Sequence, residues 1–509
     1  MPDRTELTRR QWLALSGAAA LGAGPPSAAG QDRIADSPAR GERGTPRNII
    51  FMVADGMSPG VPGLAELFSQ LLRARGTNWH ALAANPRAAC GLLQTDSLSS
   101  MVTDSSAASS AWASGSRIFN GAVNVLPDGT RLTPIAPLAR DKGKSIGLVS
   151  TTTITHATPA CFAAVQPKRA DEHLIAPQYL DLVDVILGGG HEFFAADKRK
   201  DQVDLYERFR TSGYTVCRTR DELLAAPRDR KLLGCFSTGH MPFTIDDRNR
   251  PGDRPRMPSL AEMSRAALDR LSNSGGGFLL QMEGGRVDHA AHSNDAAAML
   301  WEQLDFDEAI GVVLAFIEQN PDTLLIITTD HGNSNPTLIG IGPGYRDSAA
   351  RFARLAEVGS SFSTIYAELR GLISDGQRPA ADDVIAVMRA HTQITIEQVE
   401  AETIARTMTG QKSDDLHHQH RGIVGALGQT MTNHTGVAWT GTSHTFDYAL
   451  TLALGPGSDR FASLMHHTDV YGVLTSFMGI DHKNPTMTAE EAKQYAALPV
   501  APDEDLHWI

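Results

Sequence analysis

Carboxylates and imidazoles gather at the ends of three apolar runs in this chain. NIIFMVAD closes on Asp55, GFLLQMEGGRVDHAAH carries Glu283, Asp288 and His292, and TLLIITTDH closes on Asp330 and His331. Short, continuous apolar runs read as strands buried on both faces, and α/β sheets present functional side chains at the C-terminal ends of such strands. Imidazole with carboxylate suits zinc, whereas oxygen-only sets suit magnesium. Between the first two runs lies VTDSSAASSAWASG, residues 102–115, dense in serine and uncharged after Asp104. Together these features point to metal-assisted chemistry on an activated serine.

The spacing sharpens that reading. Asp288 and His292 share one face if their segment is helical, a suitable pair for one cation. Asp330 and His331 are adjacent, just past a strand. A seryl hydroxyl is un-ionised at neutral pH, and with no sequence-local histidine as its base, metal coordination is the expected activator. Asp104 suits the start of a helix whose first amides, at Ser105 and Ser106, would face an anion. By composition alone Ser106, Ser109 and Ser110 remain rivals of Ser105.

These groups need a scaffold. Strand-like runs recur at 48–53, 146–150, 183–187, 277–282 and 323–328, and later at 437–439 and 448–454, with helical or loop segments between. That alternation predicts an α/β fold, a three-layer αβα sandwich with a large, mostly parallel central sheet. From about 345 to 432 the pattern turns helical, in ARFARLAEV, FSTIYAELRGLI, ADDVIAVMRA and TIEQVEAETIARTM. It reads as an inserted helical cap near the mouth of the site, opened by Gly342-Pro343-Gly344. At 509 residues, 41% hydrophobic and 20% charged, the chain has the composition of a globular protein with one large core or two ordinary ones. A net charge of -12 argues against nucleic-acid binding, which needs clustered Lys and Arg.

The N-terminus reads as an address. Arg9-Arg10 precede an apolar run from Trp12 to Gly24, then Pro25, Pro26 and a Ser27-Ala28-Ala29 cleavage-like site. Residues 1–30 are thus expected to be a twin-arginine signal peptide, 31–47 a linker, and 48–509 the catalytic unit. The twin-arginine export machinery is the implied partner, and the implied location is periplasmic or secreted. No later stretch has the roughly 20 apolar residues of a membrane helix, so no membrane span is expected in the mature form. The four cysteines fit neither a zinc knuckle nor a disulfide-dense scaffold. Cys217 and Cys235 end two β-like segments, GYTVC and KLLGCF, and are the candidate pair for a disulfide; Cys90 and Cys161 read as inert buried thiols.

The serine motif VTDSSAASSAWASG resembles that of the alkaline phosphatase family of exported bacterial serine metalloenzymes, and six further segments follow the family's order: ADGM, TTITHATPA, DVILGGG, EGGRVDHAAH, TTDHGN and GTSHTFDYA. The resemblance spans most of residues 48–470. It implies hydrolysis of small phosphate monoesters through a covalent phosphoserine at Ser105, with two Zn2+ and one Mg2+. Asp288, His292 and His444 match the ligands of one zinc, His434 being the competitor for the third place. Asp55, Asp330 and His331 match those of the second. Asp55 as a bridge, Thr158 and Glu283 match the magnesium set, with a buried Glu283–Arg286 pair as the bland alternative. His156 and His289 stand where some members carry Asp and Lys, which leaves the third site open to zinc or cobalt. Arg169 follows His156 by the spacing of the family's phosphate-binding arginine, and Lys168 beside it reads as a solvated charge. Many members are dimers, so a homodimer stays open.

A phosphodiesterase or sulfatase of the same superfamily is the nearest alternative, although no Cys-x-Pro-x-Arg segment is present; a non-catalytic metal- or phosphate-binding protein is the more distant one. His417, His418 and His420 read as an exposed helix end. Gly188-Gly189-Gly190 lacks the Lys-Ser/Thr ending of a phosphate-cradling loop and reads as a strand exit.

Overall fold

The computed structural model describes residues 41–249, 257–373 and 376–495. The expected signal peptide, and the linker up to residue 40, lie outside the described residues.

The apolar runs build one ten-stranded sheet. Its order is Leu464–His466, Ala89–Gln94, Ala449–Leu454, Thr323–Thr328, Asn48–Ala54, Phe278–Gly284, Ser145–Thr153, Val185–Gly189, Lys231–Cys235 and Tyr214–Cys217. Every pairing is parallel except those of Ala449–Leu454, which runs antiparallel to both neighbours. The three strands that end in acids are adjacent at the centre, Val53 pairing with Glu283 on one side and with Thr328 on the other. Side chains alternate across this strand, so Ile50, Met52 and Ala54 enter the apolar core on one face, and Ile49, Phe51 and Val53 that on the other. Helices cover both faces, giving the expected three-layer α/β sandwich.

Residues 345–432 carry the helices Ser348–Ala353, Phe362–Gly371, Ala381–Thr392, Gln398–Met408 and Ile423–Thr435, the last running three residues further. They share a core with the main body: Phe352, Phe362, Ile365 and Leu427 belong to the same apolar cluster as Met52, Phe68 and Trp301. Phe68 packs edge-on against both Trp301 and Phe352, at 5.5 and 6.4 Å between ring centres.

Several expectations need correction. Cys217 and Cys235 do end adjacent parallel strands, but both are free thiols. Cys217 pairs in register with Gly234, so Cys235 points the opposite way, and the two sulfurs enter cores on opposite faces of the sheet. Residues 437–439 give only a two-residue ladder, Val437–Ala438 with Thr337–Leu338, outside the main sheet. The strand expected at 183 starts at Val185 and takes in Gly188 and Gly189. Ala89–Gln94 and Leu464–His466 are strands that the apolar pattern did not mark.

Candidate active site

Asp104 anchors the serine segment. Its extended backbone caps the helix Ser105–Ser114, Oδ1 accepting from the Ala107 amide at 2.8 Å. Its other oxygen accepts from the Ser106 hydroxyl at 2.7 Å, the Gly121 amide at 2.8 Å and Arg169 Nη1 at 3.2 Å. One buried carboxylate therefore ties together the helix start and the guanidinium. It also separates the rival serines. Ser106 is bound to Asp104, and Ser110 lies against Cys161 Sγ and accepts from the Asn124 amide. Ser105, at the first turn, directs Oγ to within 3.2 Å of His331 Nε2.

That contact resembles a serine–histidine pair, but the surrounding geometry is different. In a catalytic triad the carboxylate binds the far ring nitrogen, Nδ1. Here Asp330 Oδ2 and Asp55 Oδ1 approach Nε2 itself, at 3.2 and 3.7 Å, while Nδ1 has no hydrogen-bond partner among the described residues. Asp55 Oδ1 and Asp330 Oδ2 likewise have no hydrogen-bond donor, although both side chains are fully buried. Buried carboxylate oxygens left so are costly unless a cation joins them. Burial, then the charges of Asp330, Asp288 and Glu283, push the Asp55 carboxyl well above the ordinary range, the mark of acids crowded together.

A second cluster lies beside the first. The helix Arg286–His292 brings Asp288 and His292 onto one face, with His292 Nε2 at 3.3 Å from Asp288 Oδ2. His292 Nδ1 donates to the Thr442 carbonyl and His444 Nδ1 to the Thr103 carbonyl, both at 2.9 Å. These backbone acceptors fix the tautomers, so each ring turns its Nε2 lone pair toward Asp288, His444 at 3.8 Å. Lone pairs facing a carboxylate repel unless a cation sits between them. Burial alone would raise Asp288; with no cation there, protonation of His292 first, and then of His444 and His331, would take its place and hold the carboxyl well below the usual range. The His331 and His444 rings stack at 3.7 Å, which joins the two clusters.

The third cluster is richer in oxygen. Asp55, His156 and Glu283 converge, Thr158 Oγ1 lying 3.5 Å from Asp55 Oδ2. Glu283 accepts from Ser150 Oγ and Thr152 Oγ1 through Oε2, and Oε1 has no hydrogen-bond donor among the described residues. Arg286 turns elsewhere, donating to His289 Nδ1 at 2.6 Å and stacking at 3.8 Å over Phe243. Arg169 Nη2 donates to His156 Nε2 at 3.0 Å, so the guanidinium is gripped between Asp104 and His156. Acceptor oxygens without donors among the described residues at the first and third clusters, and imidazole nitrogens facing Asp288 at the second, fit divalent cations; at the second the converging ligand atoms are those of Asp288, His331 and His444, with His292 against Asp288.

Sequence reasoning missed three contributors. Asn333 donates to Asp288 Oδ1 at 2.6 Å and so aims that carboxylate. Ser150 supports Glu283. His240 packs 4.7 Å from the His289 ring and 5.5 Å from that of His156, and its Nδ1 accepts from the Thr153 amide. His240 stands five residues beyond the strand Lys231–Cys235, whereas Asp55 directly follows its own, so nearness to a strand end was the one signal available. His434 pairs with Glu400 of the insert at 2.9 Å, away from the clusters. Gly56, at φ 69°, lets the segment after Asp55 pass under the Asp288 helix, where a β-carbon would come within 2.3 Å of Asp288 Oδ1.

A family model described as "Alkaline phosphatase" matches residues 46–480. Alkaline phosphatase 4 of Bacillus subtilis is 30% identical over 437 residues, covering 84% of this chain and 88% of its own. The crystal structure of Thermus thermophilus alkaline phosphatase superposes with a TM-score of 0.82 at 36% identity, over 93% of this chain and 99% of that one. A cold-active alkaline phosphatase from Shewanella gives a TM-score of 0.69 at 27% identity, over 85% and 99% of the two chains.

Proposed function

Because this chain belongs to the alkaline phosphatase family and hydrolyses phosphate monoesters through a covalent phosphoserine, we propose that Ser105 is its nucleophile and that Arg169 holds the phosphoryl group. The observation that carries the assignment is the convergence of Ser105 Oγ, Asp330 Oδ2 and Asp55 Oδ1 on a single nitrogen of His331.

Asp55, Asp330 and His331 would hold one Zn2+; Asp288, His292 and His444 the other; and Asp55, Thr158 and Glu283 a Mg2+. His156 and His289 beside the third site extend its range to zinc or cobalt. When bound, such cations polarise phosphoryl oxygens and lower the pKa of hydroxyl groups and water.

The residues of the chain do the rest. Ser105 Oγ loses its proton to solvent and forms a bond to phosphorus in line with the ester oxygen; that P–O bond breaks, and the departing oxygen takes up a proton from solvent as the alcohol leaves. Water then attacks the phosphoserine, its oxygen bonding to phosphorus while the Ser105 Oγ–P bond breaks and Oγ regains a proton. Through both steps the Arg169 fork grips two non-bridging oxygens, while Nη1 also donates to Asp104 and Nη2 to His156. The amides at the start of the Ser105–Ser114 helix face the same anion.

Among the described residues no helix is long and apolar enough to cross a membrane. Arg9-Arg10 and the apolar run behind them support export through the twin-arginine machinery to the periplasm or medium, with 1–30 removed. A homodimer is the assembly to test, by light scattering of the purified protein. The catalytic assignment is tested with p-nitrophenyl phosphate on the metal-loaded protein, on Ser105→Ala and on an EDTA-treated sample. Activity should be lost in both altered samples, and turnover surviving in Ser105→Ala would assign the nucleophile elsewhere.

A further inference from the structure

The peptide Gly441–Thr442 is clasped between the Asp288 helix and the helical insert. On the inner side Asn294, 2% exposed, donates through Nδ2 to the Gly441 carbonyl at 2.8 Å and to the Ala291 carbonyl at 3.1 Å. Asn294 adopts a φ of 52°, which few residues other than Gly, Asn and Asp tolerate. It packs so closely on the insert helix Ile423–Thr435 that a β-carbon at Gly428 would come within 2.5 Å of its own. On the outer side Gln419 of the insert accepts from the Thr442 amide at 2.9 Å, and a β-carbon at Gly441 would meet Gln419 Oε1 at 2.2 Å. The Ser334 carbonyl accepts from the Thr440 amide at 2.9 Å, just upstream. The one carbonyl this clasp leaves for the site is that of Thr442, and it accepts from His292 Nδ1.

We propose that Asn294 is a positioning residue for His292, acting through the Gly441–Thr442 peptide, and that at this peptide the insert, through Gly428 and Gln419, becomes part of the support of the metal site. The inference rests on the reading of His292 as a metal ligand. Two bonds set the path: Asn294 places the Gly441 carbonyl, and the next carbonyl, that of Thr442, fixes the tautomer and direction of the imidazole. Supports of this kind are worth about 10- to 100-fold in metal affinity.

The test is zinc affinity by competition with a chromogenic chelator, at a temperature where circular dichroism shows every variant folded. Asn294→Gly accepts the left-handed backbone and removes the amide. Asn294→Asp keeps shape and backbone tolerance but sets an acceptor against two carbonyls, and it serves where the glycine variant fails to fold. Both should bind zinc about 10- to 100-fold more weakly, and p-nitrophenyl phosphate turnover should recover as zinc is raised. A purely structural role would lower the melting temperature and leave zinc affinity at the parental value, and that result overturns the proposal. His292→Ala is the control: if it too keeps parental zinc affinity, the assignment of the ligand has failed rather than that of its support.

Discussion

Replacing Asp104 with Asn changes almost nothing in shape and inverts the electrostatics around the nucleophile. The carbonyl of Asn can still accept from the Ala107 amide, and Asn caps helices as well as Asp does. Its amide nitrogen then faces the Ser106 hydroxyl, the Gly121 amide and Arg169 Nη1, all of which now donate to Oδ2. Ser106 can turn its hydroxyl around, but the other two cannot. Each buried donor left unsatisfied costs about 1–3 kcal/mol, so a loss of about 2–6 kcal/mol of stability follows. Arg169, only 9% exposed, also loses its carboxylate while keeping His156. Loosening of the phosphoryl clamp by about 1.4–2.8 kcal/mol lowers kcat/KM by about 10- to 100-fold. The assay is p-nitrophenyl phosphate hydrolysis at saturating zinc and magnesium, beside inhibition by inorganic phosphate and a thermal melt. In a double-mutant cycle with Arg169→Ala, the two losses should overlap by at least about 1 kcal/mol. Additive losses, or an Asp104→Asn enzyme with parental kcat/KM and phosphate inhibition, would show that Asp104 does not hold the arginine.

Removal of divalent cations with EDTA should lower the melting temperature as well as abolish turnover, since ions present at 1,000 times Kd contribute about 4 kcal/mol; the melt of EDTA-treated protein, with and without added zinc, checks this. Burial pushes the carboxyls of Asp295 and Glu302 up to about 7 and that of Asp305 to about 6. Folded pKa values raised above the unfolded ones mean that the folded state holds protons the unfolded chain has lost. Their contribution is therefore fully present below about pH 4 and falls away as pH rises to about 7. Asp295→Asn keeps the cap on the Ala298 amide, and denaturant unfolding at pH 5 and pH 8 should show a smaller decline than in the parent. Burial also raises Cys161 and Cys235 to about 12 and Cys217 to about 11. A thiol reagent at pH 8 should leave all three untouched in the native protein and titrate all four cysteines of the chain in denaturant without reductant; a pair that reacted only after reduction would restore the disulfide.

The acids at the ends of apolar runs were legible in the sequence because burial on both faces leaves an unmistakable run of residues, and the first polar group past it falls at the sheet's edge. Ser105 was separable from its neighbours only by resemblance, since spacing cannot tell which hydroxyl Asp104 will bind. His240 and Asn333 escaped notice because their roles depend on packing between elements distant in the chain. Ala89–Gln94 was obscured by Gly91, where a β-carbon would strike the Phe461 carbonyl at 2.0 Å. The disulfide expectation failed on register: adjacent strands were foreseen, but a one-residue offset decides which face a side chain takes.

The central strands that carry the acids are neighbours in space and strangers in sequence: Asn48–Ala54 lies between strands that begin at 278 and 323. Closing such long loops in parallel register is slow. A slip of one residue would also turn the side chains of a whole strand to the other face. The complete site has no early form on the nascent chain. Asp55 emerges long before Glu283, Asp330 and finally His444, so that filling of all the cation sites is a late event in biogenesis and reports that the three central strands have come together in register.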